Sequence, residues 1–149
     1  LTVFDMHDRY SQQPAAARWA HVLLRIFAGA VLCQHGAQKL LGVLGGVDGA
    51  GHAATAGLTL RFIAGPLELI GWMLIIIGLF TRVVAFILSG EMAVIYFLVH
   101  IERSFWPILN HGEIPVVLCF VFLYLAATGA GIFSLDYLRT RKKPNAIMG

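Results

Sequence analysis

Four long apolar stretches, each bounded by charge or by turn residues, dominate the pattern of the chain. They run from about residue 18 to 42, 61 to 79, 82 to 101 and 113 to 133. A helix needs about 20 mostly apolar residues to cross a hydrocarbon core of about 30 Å. The pattern therefore predicts an all-α fold, an integral membrane four-helix bundle. Only Phe80-Thr81 separates the second stretch from the third, so these two form a tight antiparallel hairpin. Residues 1–17 are polar and read as a cytoplasmic or interfacial segment, 18–138 as the four-span domain, and 139–149 as a basic cytoplasmic tail.

Composition supports this reading. Of 149 residues, 58% are hydrophobic and 13% are charged, against about 25% charged in soluble domains. A net charge of +3 is too small to suggest a nucleic-acid partner. The basic residues are unevenly placed. Arg9, Arg18, Arg82, Arg139, Arg141, Lys142 and Lys143 fall on one side of the spans, Arg61 and Arg103 on the other. Positive residues stay inside, so both termini are expected in the cytoplasm of a bacterial-type inner membrane. The first apolar run contains Arg25 and lacks a small-x-small cleavage site, so no cleaved signal peptide is expected. Cys33 and Cys119 are too few for a disulfide framework and form no CxxC pair. They fall at similar depths and either face each other or pack as small apolar residues.

The helical rise gives each polar residue a depth. At about 1.5 Å per residue, His35 and Glu68 both lie about 10 Å below the outer surface, and Lys39 about 5 Å below it. His35 and Lys39 are four apart and share a helix face. His100 closes the third span, and Arg61, His111 and Glu113 lie near the same surface. This layer supplies the candidate site residues His35, Lys39, Glu68 and His100. Deeper, Arg25 and Glu91 are level on the first and third spans. Isolated charges are costly in hydrocarbon, so the pair is expected to form a structural ion pair, with Gly90 giving room for it. Gly29, Gly36, Gly71, Gly129 and Gly131 are expected to let helices pack closely. No metal site is recognisable.

The segments LRIFAGAVLCQHGAQKLLG, GPLELIGWMLIIIGLFTR and GAGIFSLDYL, with a glutamate-bearing third span ending in His100, carry a resemblance. From about residue 20 to 138 the chain resembles the DoxX family of small four-span membrane proteins. Members are similar in plan to the membrane subunit of an archaeal thiosulfate:quinone oxidoreductase and to a methylamine-utilisation membrane protein. The motif residues present are Arg25, Gly29, His35, Gly36, Lys39, Glu68, Gly71, Gly78, Arg82 and Asp136. The resemblance implies a four-helix bundle with both termini inside, frequent association with redox systems, and partner subunits. It carries over no catalytic residue.

Three functions fit these features. The first is an accessory or structural subunit of a larger respiratory or photosynthetic electron-transfer complex, because the chain has no haem or nucleotide motif of its own. The second is a quinone-linked oxidoreductase subunit, in which His35 and Glu68 would serve the headgroup and its protons, with Lys39 or His100 tuning them. The third is a membrane transport or chaperone factor, suggested only by Gly65-Pro66 ahead of Glu68. The expected partners are the lipid bilayer and other membrane subunits. No cofactor motif is present; quinone is a candidate ligand, and thiosulfate or another small anion would meet Arg61, Lys39 and His111 from outside.

Overall fold

The computed structural model describes residues 12–46, 49–52 and 59–141. Among these, every regular element is a helix. Helix α1 is Ala15–Leu41, α2 is Thr59–Ile77, and α3 begins as Thr81–Ile95. Helix α3 continues without a break into a five-residue π-helical turn, Tyr96–His100. The short α4 is Pro107–Asn110, α5 is Glu113–Thr128 and α6 is Leu135–Arg141. The first 11 residues, the tail beyond 141 and the side chain of Arg61 lie outside the described residues, and with them several of the charges that set the expected orientation.

Helix α1 packs along α2, and α3 along α5; α2 against α3 joins the two pairs. The core between them is built from Leu32, Ile75, Leu88, Met92, Leu118 and Phe122. The outward faces are just as apolar. Phe27, Ile70, Val83, Phe86, Val117 and Phe120 are each more than half exposed. A helix that is apolar all round belongs in a protein core or in a membrane. Helix α1, and α3 through His100, are long and apolar enough to cross a membrane, yet only 33% and 28% of their most apolar windows are buried. A core helix of a soluble protein would be mostly buried. The exposed apolar surface is therefore the kind that lipid covers. Gly65–Ile77 of α2 and all of α5 are apolar but shorter.

One end of the bundle is fastened by hydrogen bonds to backbone groups. Helix α2 ends on Gly78 at φ 69°, where a left-handed residue is needed. The amide of Gly78 donates to the Ile75 carbonyl and that of Leu79 to the Leu74 carbonyl, closing the last turn. The carboxylate of Asp136, on α6, then accepts the amides of Phe80 and Thr81 at 2.9 and 2.8 Å. A carboxylate is well placed there, because a helix N-terminus carries partial positive charge and free N–H groups. The Asp136 amide returns a bond to the Gly78 carbonyl at 2.8 Å.

Helix α5 stops at Thr128, five residues before the expected end. Gly129 and Gly131 take φ of 90° and 72°, which a right-handed helix does not allow. The chain turns there and presents carbonyls inward. Arg25, 1% exposed, donates to those of Ala130 at 2.6 Å and Phe133 at 2.8 Å. Arg82 reaches the Thr128 carbonyl at 3.3 Å.

Removing the Asp136 carboxylate leaves two amides at the start of α3 without their partner. Asp136→Ala is expected to lower stability by about 1–3 kcal/mol, read as a lower unfolding midpoint in detergent micelles. An unchanged midpoint would show that the turn holds without α6.

Candidate functional site

The site is built where α1 and α2 come closest. A Cβ on Gly36 would lie 2.9 Å from the Leu69 amide nitrogen and 3.2 Å from both the Glu68 Cβ and the Gly65 carbonyl oxygen. Only glycine permits that approach. Lys39 is three residues further along α1, on the same face. Its Nζ lies 2.5 Å from Glu68 Oε1. Glu68 is 1% exposed, and its second oxygen has no hydrogen-bond partner among the described residues. Breaking a buried pair by removing one partner costs about 3–5 kcal/mol, because the other charge is left uncompensated. The pair therefore fastens α1 to α2 wherever else it acts.

A cavity of about 240 Å³ opens beside this pair. Its walls are apolar: Leu32 from α1, Met92, Ile95 and Val99 from α3, Ile114 and Leu118 from α5. His35, Lys39, Glu68, His100 and His111 add polar groups to the lining. Four helices and the segment before α5 thus contribute to one chamber.

His100 reaches the chamber through the π-helical turn. The Ile101 amide bonds to the Tyr96 carbonyl, five residues back, at 3.0 Å. This wider turn shifts the end of α3 relative to a regular helix. His100 Nδ1 lies 3.0 Å from the Asn110 carbonyl. A carbonyl only accepts, so Nδ1 carries the hydrogen in that bond. Asn110 is fully buried: its amide donates to the Ser104 carbonyl at 2.7 Å, and its side-chain oxygen accepts the Gly112 amide at 2.7 Å. The Tyr96 hydroxyl donates to the Phe105 carbonyl. These bonds fold residues 101–112 back on the end of α3 and hold His100 and His111 at the rim.

Arg25 and Glu91 do not meet, which corrects the expected ion pair. Arg25 is occupied by the carbonyls after α5, and neither carboxylate oxygen of Glu91 has a hydrogen-bond partner. Gly90, expected to make room for the pair, faces open space. The structure gives the two neither a common level nor a common face: Arg25 lies beside Gly78 at the α2–α3 turn, ten residues along α2 from Glu68. Leu88 packs on Gly71, with its Cδ2 2.8 Å from where a Cβ would stand. In an antiparallel hairpin, the residues one turn further from the loop then oppose each other, Glu91 against Glu68. Glu91 accordingly feels the charges of Glu68 and Lys39.

The remaining sequence candidates fall into place as follows. Gly29 faces Ile76, Gly36 faces Leu69, and Gly71 faces Leu88, all between helices. Gly129 and Gly131 lie in the turn after α5 instead of inside a helix; His21 packs against Gly131. Cys33 and Cys119 are free thiols. Ser89 on α3 donates to the Cys119 carbonyl at 2.9 Å. Sequence reasoning missed His21, whose Nε2 lies 3.0 Å from the Gly129 carbonyl. The signal was present: His21 and Arg25 are four apart, as are His35 and Lys39. Asn110 and Tyr96 had no comparable signal.

A family model, DoxX, matches residues 20–101. An uncharacterised protein of Haemophilus influenzae is 40% identical over 116 residues, covering 76% of this chain and 85% of the relative. "Putative oxidoreductase CatD" of Bacillus subtilis is 26% identical over 124 residues, covering 83% and 90%. No solved structure matches.

Gly36→Ala places a methyl group where backbone already lies, and α1 must move off α2. The expected cost is about 1–3 kcal/mol of stability, measured by denaturation in detergent. Gly90→Ala, on the open face of α3, is the control and is expected to leave the midpoint unchanged.

Proposed function

The chain belongs to the DoxX family of membrane proteins, and on that premise we propose that it is an accessory subunit of a membrane electron-transfer system whose cavity receives a quinone-type headgroup. It crosses the bilayer four times, with both ends in the cytoplasm of a bacterial inner membrane. The observation that carries the reading is one chamber with apolar walls that also holds the Lys39–Glu68 pair, His35 and His100. Ligand pockets for drug-sized molecules run to about 300–1,000 Å³. A chamber of about 240 Å³ suits a single ring and excludes a nucleotide cofactor. The apolar lining suits a ring drawn from lipid, and Lys39 and the imidazoles offer hydrogen bonds to its oxygens.

The name of the Bacillus subtilis relative supports a redox role. The sequence has no haem or nucleotide motif, so the electrons come from a partner subunit. Reducing a quinone to a quinol takes two electrons and two protons. Lys39 positions the ring, while His35, His100 and Glu68 take up and pass protons; imidazole suits this because its ordinary pKa is near neutral. The positive-inside bias supports the orientation, with the Asp136-clamped end and Arg82 toward the cytoplasm and the chamber toward the outer face.

Two measurements test this. A quinone analogue is expected to bind the purified protein in nanodiscs saturably. Glu68→Gln and Lys39→Met are each expected to weaken it about tenfold, the equivalent of about 1.4 kcal/mol. Binding that ignores both substitutions would remove the chamber as its site. For orientation, a reporter active only in the cytoplasm should work when fused after residue 149 and fail when inserted in the 101–112 segment. The reverse pattern would invert the topology.

A further inference from the structure

The chamber is flanked by a second acidic group that the reading above does not use. Leu88 packs onto Gly71, and one helical turn further from the α2–α3 loop that register brings Glu91 on α3 level with Glu68 on α2. Both Glu91 oxygens and the second oxygen of Glu68 are buried and, among the described residues, without hydrogen-bond partners. Glu68 is 1% exposed, and its neighbour Lys39 is the cation bonded to it. Two ionised carboxylates beside one ammonium would leave a net negative charge among apolar side chains. Uncompensated charge at that depth is expensive, and two carboxylates sharing one site resist being ionised together.

We propose that Glu68 and Glu91 together hold one exchangeable proton beside the chamber, with Lys39 balancing the remaining carboxylate. The pair is then neutral as a set: one ammonium, one carboxylate and one carboxylic acid. The three unpartnered oxygens are where such a proton would sit and be shared. Handing it on breaks a carboxyl O–H bond and forms an N–H or O–H bond on a base in the chamber. The pair is left with two negative charges against one positive charge until a proton from water restores it. The charged and titratable groups that line the chamber beside it are Lys39 and His35 on α1, His100 at the end of α3 and His111 just before α5. Helix α5 contributes Ile114, Pro115 and Leu118 to the chamber, all apolar. Among the described residues, no three His, Cys, Asp or Glu side chains converge as metal ligands. A proton therefore answers the missing charge better than a metal ion.

The inference rests on the proton-handling part of the proposed function, and its test needs no quinone. Infrared spectra of the protein in lipid, in water and in deuterium oxide, should show the C=O stretch of a buried carboxylic acid that shifts on deuteration. That band should be absent from a Glu91→Gln, Glu68→Gln double variant and changed in either single variant. Glutamine closely matches a protonated glutamic acid in shape, so Glu91→Gln should keep the wild-type unfolding midpoint, and the changed band in that single variant is then not a loss of the fold. A band that survives the double variant would overturn the proposal. So would a strong destabilisation by Glu91→Gln, which would mean that the group is ionised and paired. A band that disappears on adding sodium would assign the site to a monovalent cation instead. Failure of quinone binding with the band intact would reject the ligand and leave the proton site standing.

Discussion

An ammonium and a carboxylate, held in contact inside a bundle whose outer faces are hydrocarbon, decide how the rest of this protein is arranged. Glu68 is buried and Lys39 nearly so. Neither charge is tolerable there alone. Their contact requires α1 and α2 to lie almost backbone to backbone, and Gly36 is the residue that permits it. Once α1 and α2 are joined in this way, the space left between them, α3 and α5 becomes the chamber. Packing, electrostatics and the candidate site are therefore one arrangement seen at three scales.

The motif residues divide between two ends of the bundle. Arg25, Gly78, Arg82 and Asp136 sit at the α2–α3 turn and bind backbone groups there. His35, Gly36, Lys39 and Glu68 gather near the other end, around the chamber. The first group carries its charges into hydrogen bonds with the main chain, where they cap helices and close turns. The second leaves carboxylate oxygens without partners. Buried carboxylate oxygens are the costliest polar atoms to leave without a partner, so this end is where chemistry is expected.

Much of this was legible in the chain. Apolar run length located all four principal helices to within a few residues, except where Gly129 ends α5 early. A fixed rise per residue put His35, Lys39, Glu68 and His100 in the same half of the bundle, and the structure gathers these four around one chamber. Facing was harder. The rise put Arg25 and Glu91 at one level, but the structure sets Arg25 beside Gly78, where the turn after α5 offers it carbonyls that no charge count could foresee, and the Leu88–Gly71 contact sets Glu91 level with Glu68. The π-helical turn and the Asn110 hydrogen bonds depend on backbone geometry. Neither leaves a mark in hydropathy, which is why the rim of the chamber could not be read in advance.

The contact between Lys39 and Glu68 is tested most directly by a double-mutant cycle, with Lys39→Met, Glu68→Leu and the double substitution unfolded in detergent. Contacting residues show coupling of about 0.5–3 kcal/mol. Each single change is predicted to be strongly destabilising, and the double change to cost less than the two added together. Strictly additive losses would mean that the two side chains do not meet, and the chamber built around them would have no basis.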